Sequence, residues 1–201
     1  MRAAVFLDKD GTLVENVPYN AEPDLIRLLP RVEQGLRALA DAGYLLVVAT
    51  NQSGVARGYF SESALPAVIR RVRELLGEAG VPLHAFCYCP HHPDGSVAEY
   101  ARVCACRKPA PGLLLRAAEA DGIDLARSWA VGDILDDVEA GRRAGCRTIL
   151  VDGGGETEWK LTPGRLPHHV VADLEEAAAV ITAVDARVPA DAPRGSGRSS
   201  P

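Results

Sequence analysis

Short apolar runs alternate with stretches of helical periodicity along most of the chain. Residues 3–7 form an unbroken apolar run that stops at Asp8-Lys9-Asp10-Gly11, the mark of a buried strand. Val32, Leu36, Leu39 and Ala40 recur at helical spacing, and Gly43 ends that helix. Residues 44–49 are a second strand. Leu65, Val68, Ile69, Val72, Leu75 and Leu76 make one stripe, with Ser61 or Ser63 as the expected cap and Gly80 and Pro82 as the stop. Residues 83–88 predict a third strand. After an insert rich in Cys, His and Pro the alternation resumes. Helices are expected over 112–120, 136–144 and 173–184, and strands over 128–131, 147–151 and 170–171.

This alternation predicts an α/β fold, a doubly wound, Rossmann-like parallel sheet flanked by helices. The chain of 201 residues suits one domain and is too short for two. That domain is expected over residues 1–186, with no separate cap domain and with the insert at 89–106. Residues 187–201, rich in Pro, Gly, Ser and Arg without an apolar pattern, are expected to be a disordered tail.

A net charge of -5 excludes a global basic field, so neither nucleic acid nor an anionic membrane is an expected partner. The first apolar run is five residues long, too short for a signal peptide or a membrane span, and a cytoplasmic monomer is expected.

In open parallel sheets, ligands bind beyond the carboxyl ends of the strands. Asp8 and Asp10 follow the first strand, Thr50, Asn51 and Ser53 the second, and Asp133 the strand at 128–131. Arg107 and Lys108 precede a helix starting near Pro111. Each alone reads as a turn, a cap or a solvated charge; four segments meeting at one edge read as a site. Two carboxylates two apart suit a nucleophile beside a general acid/base, and a carboxylate attacking phosphorus forms an acyl phosphate. Asp8 and Asp133 suit Mg²⁺, a cation of oxygen ligands. Lys108 and Thr50 suit the phosphoryl oxygens.

These segments resemble the four ordered motifs of the haloacid dehalogenase superfamily. They are Asp8-Lys9-Asp10-Gly11-Thr12, Thr50-Asn51-Gln52-Ser53-Gly54, Arg107-Lys108-Pro109 and Gly132-Asp133. The resemblance covers residues 1–152. It implies Asp8 as nucleophile, Asp10 as general acid/base and Thr50 and Lys108 as phosphoryl binders. Its Mg²⁺ is held by Asp8, Asp133 and the backbone carbonyl of Asp10. Asp137 matches a further acidic residue that orients either Lys108 or a metal-bound water.

In the insert, Cys89 and His91 are one residue apart, as are Cys104 and Cys106. Two such pairs supply a Cys₃His set for structural Zn²⁺, pinning a loop with too little apolar content to fold alone. Cys87 is expected in the third strand and Cys146 as a small buried hydrophobe. A zinc loop at this place resembles two groups, the heptose-bisphosphate and the histidinol-phosphate phosphatases. The twelve residues between His91 and Cys104 resemble the longer loop of the first. In that group, segments matching Asn16, Val17, Pro18 and Tyr19, Thr50, Asn51, Gln52 and Ser53, and Arg107 and Lys108 touch the substrate, a small phosphorylated sugar. Ile134 departs from the Lys often found there. Two alternatives are hydrolysis of histidinol phosphate or another small ester, and a zinc-bearing phosphate-binding module without catalysis.

Overall fold

The structure is a computed structural model, and it describes residues 1–186. The expected tail at 187–201 lies outside the described residues. The strands are β1 (Ala4–Leu7), β2 (Leu45–Asn51), β3 (Ala85–Cys89), β4 (Trp129–Gly132), β5 (Arg147–Val151) and β6 (His169–Val171). The helices are α1 (Val32–Asp41), α2 (Leu65–Glu78), α3 (Gly112–Asp121), α4 (Leu135–Ala144) and α5 (Leu174–Asp185).

All six strands are parallel, in the order β3-β2-β1-β4-β5-β6. Side chains alternate between the faces of a strand, so each unbroken apolar run feeds two cores. Val5, Leu7, Leu46 and Val48 pack against α1, α2 and α5 on one face. Ala4, Phe6, Leu45, Val47 and Ala49 pack against α3 on the other. Fully burying one such Leu or Phe contributes about 1.5–3 kcal/mol. Cys87 and Cys146 join the second cluster, as expected.

Two local expectations change. Strand β2 runs on through Thr50 and Asn51, because β3 pairs with both, Thr50 opposite Tyr88 and Asn51 opposite Cys89. These two residues form the tip of the strand rather than the loop after it. Helix α2 has no serine cap: the Ser61 and Ser63 hydroxyls bond each other at 2.5 Å, and a 3-10 turn, Glu62–Ala64, leads in. Pro66 fits that first turn, where its missing N–H is not needed. Gly43 and Gly80 end α1 and α2 with φ of +86° and +71°, a region open to glycine.

The strand order reverses between β1 and β4, and that crevice is where a doubly wound sheet binds its ligand. Asp8 follows β1 and Asp133 follows β4. Residues 90–111 form no helix or strand and lie beside the same edge as an irregular loop.

Candidate active site

Leu7 pairs with Val131, and the Asp8 amide donates to the Val131 carbonyl at 3.0 Å. Asp8 and Asp133 therefore leave neighbouring strands about one residue out of step. Ligand oxygens of Asp8, Asp133 and Asp137 all lie within 4.8 Å of one another. Lys108 is the cation among them. Its Nζ is 2.5 Å from Asp8 Oδ1 and 2.5 Å from Asp137 Oδ1, and it donates to the Ala49 carbonyl at 2.8 Å.

Asn51 aims this lysine. Its amide accepts from the Lys108 N–H at 3.0 Å and donates to the Lys108 carbonyl at 3.1 Å. The side chain of Asn51 is thus engaged with protein backbone.

Burial lifts the Asp133 carboxyl to about 7, and the charges of Asp8 and Asp137 add to the effect. Burial raises Asp137 as well, against the pull of Lys108. Burial alone would lower the Lys108 ammonium; Asp137 and Asp8 outweigh it and hold it above the ordinary lysine range. Three buried carboxylates share one ammonium, a local deficit of positive charge. Their hard oxygen donors fit Mg²⁺. Backbone crowds Asp133: a Cβ at Gly11 would come within 2.2 Å of its Oδ2 and one at Gly155 within 2.0 Å.

Burial also raises Asp10, the Lys9 ammonium lowers it, and Asp8 raises it further. Both Asp10 oxygens have donors: Lys9 Nζ at 2.5 Å on Oδ1 and Gln52 Nε2 at 3.1 Å on Oδ2. Thr50 is buried, and its hydroxyl oxygen accepts from Gln52 Nε2 at 3.2 Å.

The other expected substrate residues rim this centre. Asn16 lines a cavity of about 400 Å³ with Thr12, Asp133, Gly153, Gly154 and Gly155. Val17 is half-buried and Pro18 exposed, and the exposed Tyr19 ring meets Tyr59 edge-on at 4.6 Å between centroids. Ser53 is half-buried, and its carbonyl accepts the Arg57 amide. Arg107 donates to the His91 carbonyl at 3.3 Å and so lies against the insert.

The insert brings Cys89, His91, Cys104 and Cys106 together. Five of the six ligand-to-ligand distances run from 3.1 to 3.5 Å, through His91 Nδ1 and the three Sγ atoms. A tetrahedron with Zn–S near 2.3 Å has edges of about 3.7 Å, so four soft donors at this spacing fit Zn²⁺.

Three parts of the site had not been assigned from the sequence. Thr12 donates to Asp133 Oδ1 at 3.3 Å. Lys9 is buried beside Asp10. The loop after β5 closes over Asp133, and Leu135 at the start of α4 donates to Glu156 Oε2 at 2.7 Å. The run Gly153-Gly154-Gly155 directly after a strand was the available signal for that approach.

Known proteins place this arrangement. Residues 105–177 match the HAD-hydrolase-like family model. The chain is 39% identical over 167 residues to the D-glycero-beta-D-manno-heptose-1,7-bisphosphate 7-phosphatase of Yersinia pestis, covering 79% of this chain and 89% of that protein. The structure is similar to that of a putative HAD-like phosphatase from Mesorhizobium loti, with a TM-score of 0.80 and 38% identity over 91% of this chain and 87% of that one. It is also similar to D,D-heptose 1,7-bisphosphate phosphatase from B. bronchiseptica, complexed with magnesium and phosphate. There the TM-score is 0.75 and the identity 33%, over 92% of this chain and 99% of that one. Sequence identity over three quarters of the chain, the six-stranded parallel sheet and the acidic site at its switch point agree, and the chain belongs to the HAD-like phosphatases, in the heptose-bisphosphate phosphatase family.

Proposed function

We propose that this phosphatase removes the 7-phosphate of D-glycero-D-manno-heptose 1,7-bisphosphate through a phospho-aspartate on Asp8. The observation that carries the mechanism is the Asp8 carboxylate at the switch point, with Lys108 at 2.5 Å and the Asp133–Asp137 cluster beside it. In the first step an Asp8 oxygen bonds to phosphorus as the ester P–O bond breaks. Asp10 gives its proton to the departing sugar oxygen. In the second step Asp10 takes a proton from water as that water attacks the acyl phosphate, which returns Asp8 and releases phosphate. Lys108 and the Thr50 hydroxyl hold the phosphoryl oxygens, in a site that needs no reorganisation as charge develops.

Asp8, Asp133 and the Asp10 carbonyl are the proposed Mg²⁺ ligands, and bound Mg²⁺ supplies charge neutralisation between two anions. Asn16, Val17, Pro18, Tyr19, Ser53 and Arg107 belong to the proposed substrate wall, with Asn51 and Gln52 behind it, Asn51 acting through Lys108 and Gln52 through Asp10. Zn²⁺ on Cys89, His91, Cys104 and Cys106 is proposed to hold the insert that forms part of that wall. The working unit is proposed to be a monomer, which light scattering of the purified protein checks.

The test is a panel of phosphate esters with Mg²⁺, read as kcat/KM, beside Asp8→Asn. The heptose bisphosphate should lead the panel, and Asp8→Asn should abolish turnover. A heptose bisphosphate ranked level with histidinol phosphate or simple esters overturns the substrate. An active Asp8→Asn overturns the covalent mechanism.

A further inference from the structure

We infer that Gln52 is a positioning residue for the general acid Asp10 rather than a group that binds substrate. This rests on the acid/base reading of Asp10 above. Gln52 is 6% exposed, so little of it faces a ligand. Its side-chain nitrogen has two hydrogens, and both are placed. One goes to Asp10 Oδ2 at 3.1 Å and the other to Thr50 Oγ1 at 3.2 Å. Its backbone is fixed too: the Gln52 amide donates at 2.8 Å to the carbonyl of Cys89, at the end of β3.

The chemistry follows from where those hydrogens go. A carboxyl that must deliver a proton to one ester oxygen has to present one of its own oxygens in one direction. Lys9 holds Oδ1 from the adjacent position in the chain. Among the described residues Gln52 alone holds Oδ2, from the position just after β2, and it fixes the plane of the carboxyl. Because Thr50 Oγ1 already accepts from Gln52, the Thr50 hydroxyl hydrogen is left to point elsewhere, toward the phosphoryl group. One amide therefore sets the acid and turns the phosphoryl donor outward. The same residue joins Asp10 to the strand that carries the first Cys of the metal insert.

Positioning of an acid has a signature that loss of structure lacks. A sugar alkoxide leaves poorly without a proton, whereas nitrophenolate leaves without one. The first irreversible step, read by kcat/KM, should therefore depend on Gln52 for alkyl phosphates and hardly at all for p-nitrophenyl phosphate.

The experiment compares Gln52→Leu, Asp10→Asn and Thr50→Val with wild type. The substrates are the heptose bisphosphate, fructose 1,6-bisphosphate as a second alkyl ester, and p-nitrophenyl phosphate. Gln52→Leu should lower kcat/KM for the alkyl esters by on the order of 10²-fold, within the range that general acid catalysis supplies, and for the aryl ester by less than about 5-fold. Thr50→Val should lower all three alike. An equal fall for all three substrates in Gln52→Leu overturns the inference, whether the protein is folded or loosened. If Asp10→Asn itself shows no dependence on the leaving group, the acid/base reading of Asp10 has failed instead, and the inference falls with it.

Discussion

Removing the positive charge of Lys108 while keeping most of its length separates what that lysine does for the fold from what it does for the reaction. In Lys108→Met the carboxylates of Asp8, Asp137 and Asp133 stay buried with no ammonium among them. Breaking a buried ion pair from one side costs about 3–5 kcal/mol, a large share of a domain stability of about 5–15 kcal/mol. The carboxyls escape part of that by taking up protons. Asp133 already sits near 7 and Asp137 is already raised, and both rise further without the lysine. The loss should therefore be full near pH 8 and shrink toward pH 5.5. Urea unfolding in Mg²⁺-free buffer, without chelator so that the proposed zinc site is left undisturbed, measures it at both pH values. The double variant Lys108→Met with Asp137→Asn removes one of the stranded charges and should regain roughly half of the lost stability. It should regain none of the activity, because the cation proposed to hold the phosphoryl oxygens is still missing, a deficit of on the order of 10²–10³ in kcat. Two results refute this reasoning: a single variant within 1 kcal/mol of wild type at pH 8, or a double variant in which activity returns with stability.

Mg²⁺ affinity should follow the proton on Asp133. The folded, Mg²⁺-free protein keeps that proton up to about pH 7, while the unfolded chain loses it near its ordinary value of 3.8. Stability in Mg²⁺-free buffer should fall as pH rises between those values, and Mg²⁺ binding should tighten over the same window and then level off; calorimetric titrations giving a flat profile would refute this. Gly155→Ala puts a methyl group within 2.0 Å of Asp133 Oδ2 and should raise the Mg²⁺ concentration for half-activity several-fold in a folded protein; an unchanged requirement rejects the close approach. Cys106→Ser should lose most of the bound zinc in elemental analysis and open the insert to trypsin at Arg102 and Arg107, and full zinc retention would count against the Cys₃His site.

Much of the fold was legible because periodicity in this chain is unmixed. The strand at 147–151 and the helices over Val32, Gly112 and Leu174 match to within two residues, since unbroken apolar runs and clean stripes each have one reading. Ends set by pairing were less legible: only β3 lying beside it extends β2 to Asn51. Asp173 was placed as the first helical residue; its carboxylate instead caps α5, accepting from the Glu176 amide at 2.9 Å. The region between β5 and β6 has no apolar period at all, so its approach to Asp133 left no trace beyond three glycines.

The site illustrates why convergence can be foreseen while contact cannot. Placing Asp8, Thr50, Lys108 and Asp133 at one sheet edge needs only strand direction, because parallel strands end together. Knowing that Asp8 and Asp133 adjoin needs the strand order, which puts β4 rather than β5 next to β1, and a register that sets Leu7 beside Val131. Neighbouring strands are about 4.8 Å apart and residues along a strand about 3.3 Å, so two carboxylates leaving adjacent strands one residue out of step can share an ion, and two strands' separation could not. Motif spacing along the chain carries neither quantity. It also hides which polar side chains face inward. Asn51 and Gln52 stand in a motif whose resemblance assigns them to substrate, yet one grips the Lys108 backbone and the other joins Asp10 to Thr50. The polar residues around a reacting group divide between those that meet the ligand and those that hold the ones that do, and that division is decided by burial and by where each hydrogen goes.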